Sequence, residues 1–92
     1  MFLEIVTPEA VIFKSEVESV LVPGVDGKFQ MLKNHAAIVS LLVEGAVIIK
    51  GSNVQIEEEF ENKFTISKEE YSLEINSGTI EMKEDQVIIL AD

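Results

Sequence analysis

The stretch YSLEINSGTIEMK, residues 71–83, decides the fold class. Apolar residues occupy every second position from Tyr71 to Ile75, and again at Ile80 and Met82 after the turn signal Asn76-Ser77-Gly78. A period of two places the apolar side chains of a strand on one face and the polar side chains on the other. The stretch therefore predicts a β-hairpin with one buried and one solvated face.

The segments next to this hairpin also favour strands. Residues 84–86 form the next turn signal, and residues 87–90, VIIL, are apolar on both faces, which is typical of a buried strand. Residues 36–43, AAIVSLLV, fit either two helical turns or a fully buried strand, and Gly45 ends them in either case. Because every neighbouring segment has the pattern of a strand, we predict a strand here.

Three short β-prone runs open the chain. They cover residues 2–7, 10–13 and 17–22, and they stop at Pro8 and at Pro23-Gly24. Valine and isoleucine dominate these runs, and their branched side chains favour strands over helices. The frequent interruption by proline or glycine also argues against helices.

Residues 54–66 hold a longer alternation of apolar and charged residues. Two interpretations fit it: one long strand, or a hairpin whose tip is Glu61-Asn62-Lys63. Strands average about five to six residues, which favours the hairpin. The whole pattern gives nine or ten short strands without an internal repeat, linker or low-complexity tract. It predicts a single all-β domain over residues 1–92, either a sandwich or a small barrel.

The charge balance excludes several functions. The chain has 17 Asp and Glu, seven Lys and no Arg, for a net charge of −10, while 47% of its residues are hydrophobic. Such an apolar content is typical of a folded domain rather than a disordered chain. The shortage of cations argues against binding to nucleic acid or to an anionic membrane surface, because both depend on Lys and Arg.

The remaining composition limits the compartment and the chemistry. There is no cysteine, so disulfides, thiolate catalysis and cysteine-bound metals are excluded. No apolar run approaches the ~18 residues of a membrane span, which argues against membrane insertion. The N-terminus lacks the basic and long apolar regions of a secretory signal. We therefore expect a cytoplasmic domain attached to a larger partner.

Two features that could carry chemistry do not indicate a catalytic or metal site. His35 is the only histidine, and no nucleophile elbow or neighbouring activated hydroxyl accompanies it. We interpret it as a residue that shapes a loop. The acidic run Glu57-Glu58-Glu59 lies in a strand pattern, which would point neighbouring carboxylates to opposite faces instead of around one calcium ion. We therefore predict no catalytic residue, no metal and no cofactor.

The loop Gly24-Val25-Asp26-Gly27 is the best functional candidate. It lacks the spacing of a phosphate-binding loop, and no helix is signalled after it. Its two glycines permit positive φ in a tight connection, which would project Val25, Asp26 and Lys28 into solvent. Loops on a rigid scaffold are frequent binding sites. The residues alone thus predict a small acidic all-β interaction module whose partner stays open.

Four segments in order resemble one known family. They are MFLEIVTPEAVIF (1–13), VESVLVPGVDGKFQML (17–32), NHA (34–36) and VIILAD (87–92). Together they resemble the N-terminal domain of the epsilon subunit of F-type, proton-translocating ATP synthases. The resemblance rests on a Thr-Pro turn, a Val-Pro-Gly-x-x-Gly loop, a His-Ala pair and a closing Leu-Ala-Asp.

The resemblance implies a fold and a place in a larger machine. The fold is a flattened β-sandwich of about ten strands. The implied role is a non-catalytic subunit of the central stalk that binds the gamma subunit, rests on the c-ring and couples proton flow to ATP synthesis. Its implied location is peripheral, at the cytoplasmic face of the bacterial inner membrane. The loop residues matched to the c-ring contact are Gly24, Val25, Asp26, Gly27 and Lys28, and those matched to the gamma contact are Thr7, His35 and Ser40.

The chain departs from the family pattern at several positions. Lys28 stands where an acidic residue is usual, which would require a complementary charge on the ring. Lys33 and Ala37 replace prolines that flank the His-Ala pair, and residues 51–70 have no clear counterpart. The sequence stops at Asp92, where members of the family usually continue into a C-terminal helical hairpin, so we expect no inhibition of hydrolysis and no ATP sensing by that route.

Two other functions are compatible with a small acidic β domain. A lipoyl- or biotinyl-type carrier domain presents a lysine at a hairpin tip, as Lys63 would if residues 54–66 formed a hairpin. The sequence pattern expected around such a lysine is absent, however. The second alternative is an unrelated β-sandwich adaptor without affinity for a gamma subunit.

Overall fold

Ten strands and one short 3₁₀ helix make up the computed structural model, which describes every residue from Met1 to Asp92. The 3₁₀ helix spans Glu58–Lys63. The strands are β1 (Phe2–Val6), β2 (Val11–Glu16), β3 (Ser19–Gly24), β4 (Gly27–Leu32), β5 (Ile38–Leu42), β6 (Gly45–Lys50), β7 (Thr65–Ser67), β8 (Glu70–Ile75), β9 (Gly78–Lys83) and β10 (Gln86–Ala91).

The strands form one sheet that curls into two layers. Its order is β2-β1-β10-β9-β5-β3-β6-β8-β7, and β4 pairs with the other side of β3. The layers are joined at β5 and β3, where a single residue pair, Gly24 and Leu42, connects the two strands. All neighbours are antiparallel except β1 and β10. The first layer is therefore β2-β1-β10-β9-β5, and the second is β7-β8-β6-β3-β4.

The core lies between the layers and contains 20 buried apolar side chains in one cluster. Alternate residues of each strand supply it, so that Leu3 and Ile5 of β1 pair with Val87 and Ile89 of β10, all four being fully or almost fully buried. This arrangement confirms the predicted all-β, ten-stranded sandwich. The predicted strand in residues 36–43 is also confirmed, as β5.

The predicted hairpin in residues 71–83 is wrong in its pairing but correct in its strands. β8 pairs with β6 and β7, whereas β9 pairs with β10 and β5, so the two strands belong to different layers. Residues 76–77 carry the chain from one layer to the other. Alternation specifies which face of a strand is buried, and two strands can bury that face against the same core from opposite sides.

Both interpretations of residues 54–66 are wrong. Only Thr65–Ser67 is a strand, and the acidic residues that precede it lie in the 3₁₀ helix. Phe60 lies in the helix and Phe64 directly follows it, so their spacing of four fits the period of a strand and does not reveal the helix. Phe64 packs on Phe13, with their ring centroids 5.7 Å apart. Lys63 ends the helix and is not at a hairpin tip, which removes the geometric reason for considering a carrier domain.

Strand β3 continues through Pro23-Gly24, where the sequence predicts a stop. Along β3, the pairing with β6 ends at Leu21 and the contact with β5 is at Gly24. Pro23 therefore lies where the sheet divides, and its missing N–H removes no ladder bond on that side.

Candidate docking site

The loop singled out in the sequence is the tip of the β3–β4 hairpin. Gly24 pairs with Gly27 across the turn, and Val25, Asp26, Gly27 and Lys28 are exposed, with Val25 at 56%. Val25 and Asp26, the two central residues of the turn, do not have a positive φ. The positive φ is at Gly27, +120°. The hairpin tip is therefore a solvent-facing projection of the second layer.

The two glycines are required for different reasons, which corrects the expectation that both supply positive φ. Gly24 is buried and has an ordinary φ. A Cβ on Gly24 would lie 2.6 Å from Cε1 of Phe29 and 2.8 Å from the Gly27 carbonyl oxygen. Gly24 thus makes room for the Phe29 ring, and only Gly27 is needed for the backbone conformation.

A row of mainly apolar side chains crosses the outer face of the first layer. The strand register places one residue of each strand side by side, and we call the set the apolar row: Val11, Val6, Leu90, Thr79 and Leu41. Leu41 is 62% exposed, Leu90 is 51% exposed and Val11 is 44% exposed. Single exposed apolar residues are common, but an aligned set across five strands is typical of an interaction surface.

The apolar row is confined to one end of the layer. The neighbouring row of the same face is Val39, Glu81, Ile88, Glu4 and Lys14, in which charged residues stand among two exposed apolar ones. This face therefore divides into an end without charged residues and a remainder in which charged and apolar residues are mixed.

A shallow groove of about 630 Å³ connects the apolar row with the hairpin tip. Val25 from the tip and Thr7 from the β1–β2 turn both line it, beside Leu41 and Leu90. The Val25 N–H donates a hydrogen bond to the Leu41 carbonyl oxygen at 3.2 Å, which fixes the tip against β5. The tip, the turn and the apolar row thus form one continuous surface at this end of the molecule.

The three residues matched to a gamma contact are not brought together. The Thr7 hydroxyl donates to the Ala10 carbonyl at 3.1 Å and lies at the groove. His35 is exposed in the β4–β5 connection, where its Nδ1 lies 2.7 Å from the Ala36 oxygen. Ser40 is half-buried and pairs with the buried Ile80, so it is on the opposite face of β5 from Leu41. Only Thr7 contributes to the groove.

The apolar row could not be found from the sequence pattern alone. Leu90 lies in a run that is apolar on both faces, and Leu41 lies in the ambiguous run 36–43. Identifying which of their residues face outward requires the pairing of β10 with β1 and of β5 with β9. No cluster of three or more His, Asp or Glu side chains in the structure could hold a metal ion.

A rigid β-sandwich with a projecting hairpin tip and an uncovered apolar end defines a docking module. The family model that describes the ATP synthase delta/epsilon chain β-sandwich domain matches residues 1–92, and the chain belongs to this family. The match confirms the family resemblance of the sequence.

Curated relatives support the same assignment. The chain is 37% identical over 92 residues to the ATP synthase epsilon chain of Campylobacter curvus, covering 100% of this chain and 60% of the relative. It is 36% identical over 90 residues to the epsilon chain of Dehalococcoides mccartyi, covering 98% of this chain and 54% of the relative. The chain therefore spans somewhat more than half the length of these relatives.

Two solved structures share the fold. A chain of the central stalk and c-ring structure of Tetrahymena thermophila mitochondrial ATP synthase superimposes with a TM-score of 0.73 at 12% identity, covering 99% of this chain and 62% of the other. A chain of the OSCP/F1/c-ring structure of Euglena gracilis mitochondrial ATP synthase gives a TM-score of 0.75 at 16% identity, covering 97% and 48%. At these identities the likeness establishes the sandwich fold.

Proposed function

We propose that this chain is a non-catalytic subunit of the central stalk of an F-type ATP synthase, and that it binds the gamma subunit and the c-ring. Its family, its epsilon-chain relatives and its likeness to chains from central-stalk assemblies support this role. The observation that carries the proposal is the continuous surface formed by the hairpin tip, the β1–β2 turn and the apolar row. One end of a rigid body thereby offers two adjoining contact regions.

The gamma subunit covers the apolar row in this proposal. Fully burying a leucine side chain contributes about 1.5–3 kcal/mol, and the exposed halves of Leu41 and Leu90 would contribute about 1 kcal/mol or more each. Thr7 stands at the edge of this contact. His35 and Ser40 would meet gamma outside the groove, His35 through the exposed β4–β5 connection and Ser40 at its partly exposed hydroxyl.

The c-ring receives the hairpin tip, Gly24–Lys28. Val25 would supply an apolar contact and Lys28 a cation, so the facing loop of the ring should carry a carboxylate. The tip is held by the ladder to β3 and by the Val25–Leu41 hydrogen bond. Such a support resists displacement of the loop under load.

The coupling role depends on rigidity. Torque passes between ring and stalk only if the body between them deforms little, and a close-packed core of 20 side chains has low compressibility. We place the subunit at the cytoplasmic face of the bacterial inner membrane as a peripheral part of the complex. None of its elements is a helix long and apolar enough to cross a bilayer.

Single-cysteine cross-linking in the assembled complex tests both contacts. The chain has no cysteine, so an introduced one reacts at a known position. Val25→Cys should cross-link to a c subunit and Thr7→Cys to gamma. Glu74→Cys, on the exposed outer face of the second layer, serves as the control and should cross-link to neither. Cross-linking of all three variants to the same partner, or of none, would contradict the proposal.

A further inference from the structure

The outer edge of β4 is the least protected edge of the sheet. β4 is six residues long, has an uninterrupted register with β3 and contains no proline, and Lys28 is its one charged residue. The edge of β2 is different, because its ladder contains a bulge and the Gln55 N–H donates to Ser15 Oγ at 3.1 Å. β7 has only three residues. Proteins usually protect long sheet edges by such devices, and an open edge can accept a strand from another chain.

The hydrogen-bond pattern identifies the free backbone groups on β4. Val25 N–H bonds to Leu41 and Val43 N–H bonds to the Pro23 carbonyl, so the backbone groups of Gly24 point toward β4. Alternation along the ladder then turns Phe29 toward β3 and turns Lys28 and Gln30 outward. The Leu32 carbonyl, next in the outward series, already accepts the His35 N–H at 3.1 Å. The open edge therefore consists of Lys28 and Gln30.

The charge distribution separates this edge from the rest of the molecule. Residues 27–43 contain no Asp or Glu, although the whole chain has 17, and they include Lys28 and Lys33. Both lysines are exposed, and so is Leu32, at 51%. The edge is thus a basic and apolar site on an acidic protein, which favours a partner that carries carboxylates.

From these observations we propose that β4 binds an extended, carboxylate-bearing segment of the gamma subunit, which adds to the sheet as one more strand. This inference rests on the proposed function and deepens it. The backbone of Lys28 and Gln30 supplies the hydrogen bonds. The Lys28 ammonium remains with the ring, and the exposed Lys33 ammonium just after β4 selects a segment with a carboxylate near it. Affinity in this mode comes from main-chain hydrogen bonds, and specificity comes from alternate side chains.

Amide hydrogen exchange followed by NMR tests the proposal residue by residue. In the free chain, the Lys28 and Gln30 amides should exchange quickly, whereas the Phe29 and Met31 amides should be protected by the ladder. Addition of the folded gamma subunit from the same organism should slow exchange at Lys28 and Gln30 by about tenfold or more. Binding without this protection would overturn the strand addition and leave the stalk role intact.

Two other results would refute more than the strand addition or would identify a different occupant of the β4 edge. No binding by folded gamma would refute both the strand addition and the gamma contact. Protection of Lys28 and Gln30 that rises with the concentration of the chain alone would identify a second copy as the occupant and overturn the proposal.

A pair of substitutions separates the backbone from the side chain. Gln30→Pro removes the outward N–H without removing a bond to β3, and it should weaken gamma binding by about tenfold or more. Gln30→Val keeps the N–H, removes only the side-chain amide and should bind like the unaltered chain. Equal affinity of the two variants would overturn the proposal. If Gln30→Pro does not fold, the exchange measurement on the unaltered chain still tests the strand addition.

Discussion

Replacing Leu90 by lysine should separate binding from folding. Leu90 lies in the middle of the apolar row, between Val6 and Thr79, and is 51% exposed. Its outer half contacts no part of the core. Because substitutions at such surface positions usually change the free energy of unfolding by no more than about 0.5 kcal/mol, Leu90→Lys should fold normally.

The loss of gamma-binding free energy can be worked out from the apolar surface that gamma would cover. Losing the burial of half a leucine removes about 1 kcal/mol of binding free energy. Placing an ammonium group in an apolar contact without a partner adds about 1–3 kcal/mol. The sum, about 2–4 kcal/mol, corresponds to a rise in Kd of roughly 30- to 1000-fold.

The matched control is Ile88→Lys. Ile88 lies on the same strand and the same face, is 38% exposed and pairs with Glu4 and Glu81. A lysine there gains opposite charges as cross-strand neighbours. Titration calorimetry with gamma should give a large loss for Leu90→Lys and a small one for Ile88→Lys, with thermal unfolding as the check on folding. Equal affinities for the two folded variants would refute the assignment of the apolar row.

Three further predictions concern other parts of the molecule. Gly78→Ala should lower the free energy of unfolding by about 3 kcal/mol in a denaturant titration, because its Cβ would collide with the Leu90 carbonyl oxygen; unchanged stability would contradict the close approach. Phe64→Ala should lower the free energy of unfolding by about 3–5 kcal/mol, because Phe64 is buried. The same substitution at the half-buried Phe60 should lower it clearly less; equal losses would contradict the packing of Phe64 in the core. Lys28→Glu should lower ATP-driven proton pumping in membrane vesicles, and reversal of the facing carboxylate on the ring should restore it; full pumping by the single variant would show that the contact is minor.

The sequence predicts the faces of the strands better than their partners. Alternation in residues 71–83 identifies Leu73, Ile75, Ile80 and Met82 as core residues, and all four are buried. It cannot show that β8 and β9 face each other across the core, because both arrangements bury the same side chains. That distinction depends on contacts between residues far apart in the chain.

Residues 54–66 show the limit of periodicity over short distances. The spacing of four between Phe60 and Phe64 satisfies a period of two, although Phe60 lies in the 3₁₀ helix and Phe64 directly follows it. The packing of Phe64 on Phe13 favours the compact 3₁₀ helix over an extended hairpin. Contacts between residues far apart in the chain therefore determine the structure of this segment, which its local sequence pattern does not specify.

The part of the candidate site that lies in a single loop could be predicted from the sequence. The glycine spacing predicts the exposed hairpin tip, although it does not show that Gly24 is needed for the Phe29 ring. The apolar row and the open edge of β4 depend on register, which assembles them from distant segments. Such sites require the structure.

The measurement that tests the central claim most directly is a calorimetric titration of this chain with the gamma subunit of the same organism at several temperatures. The proposed role predicts a one-to-one complex and a negative heat-capacity change of binding, because the apolar row leaves water. Absence of binding by a gamma subunit shown to be folded would contradict the proposed place in the central stalk.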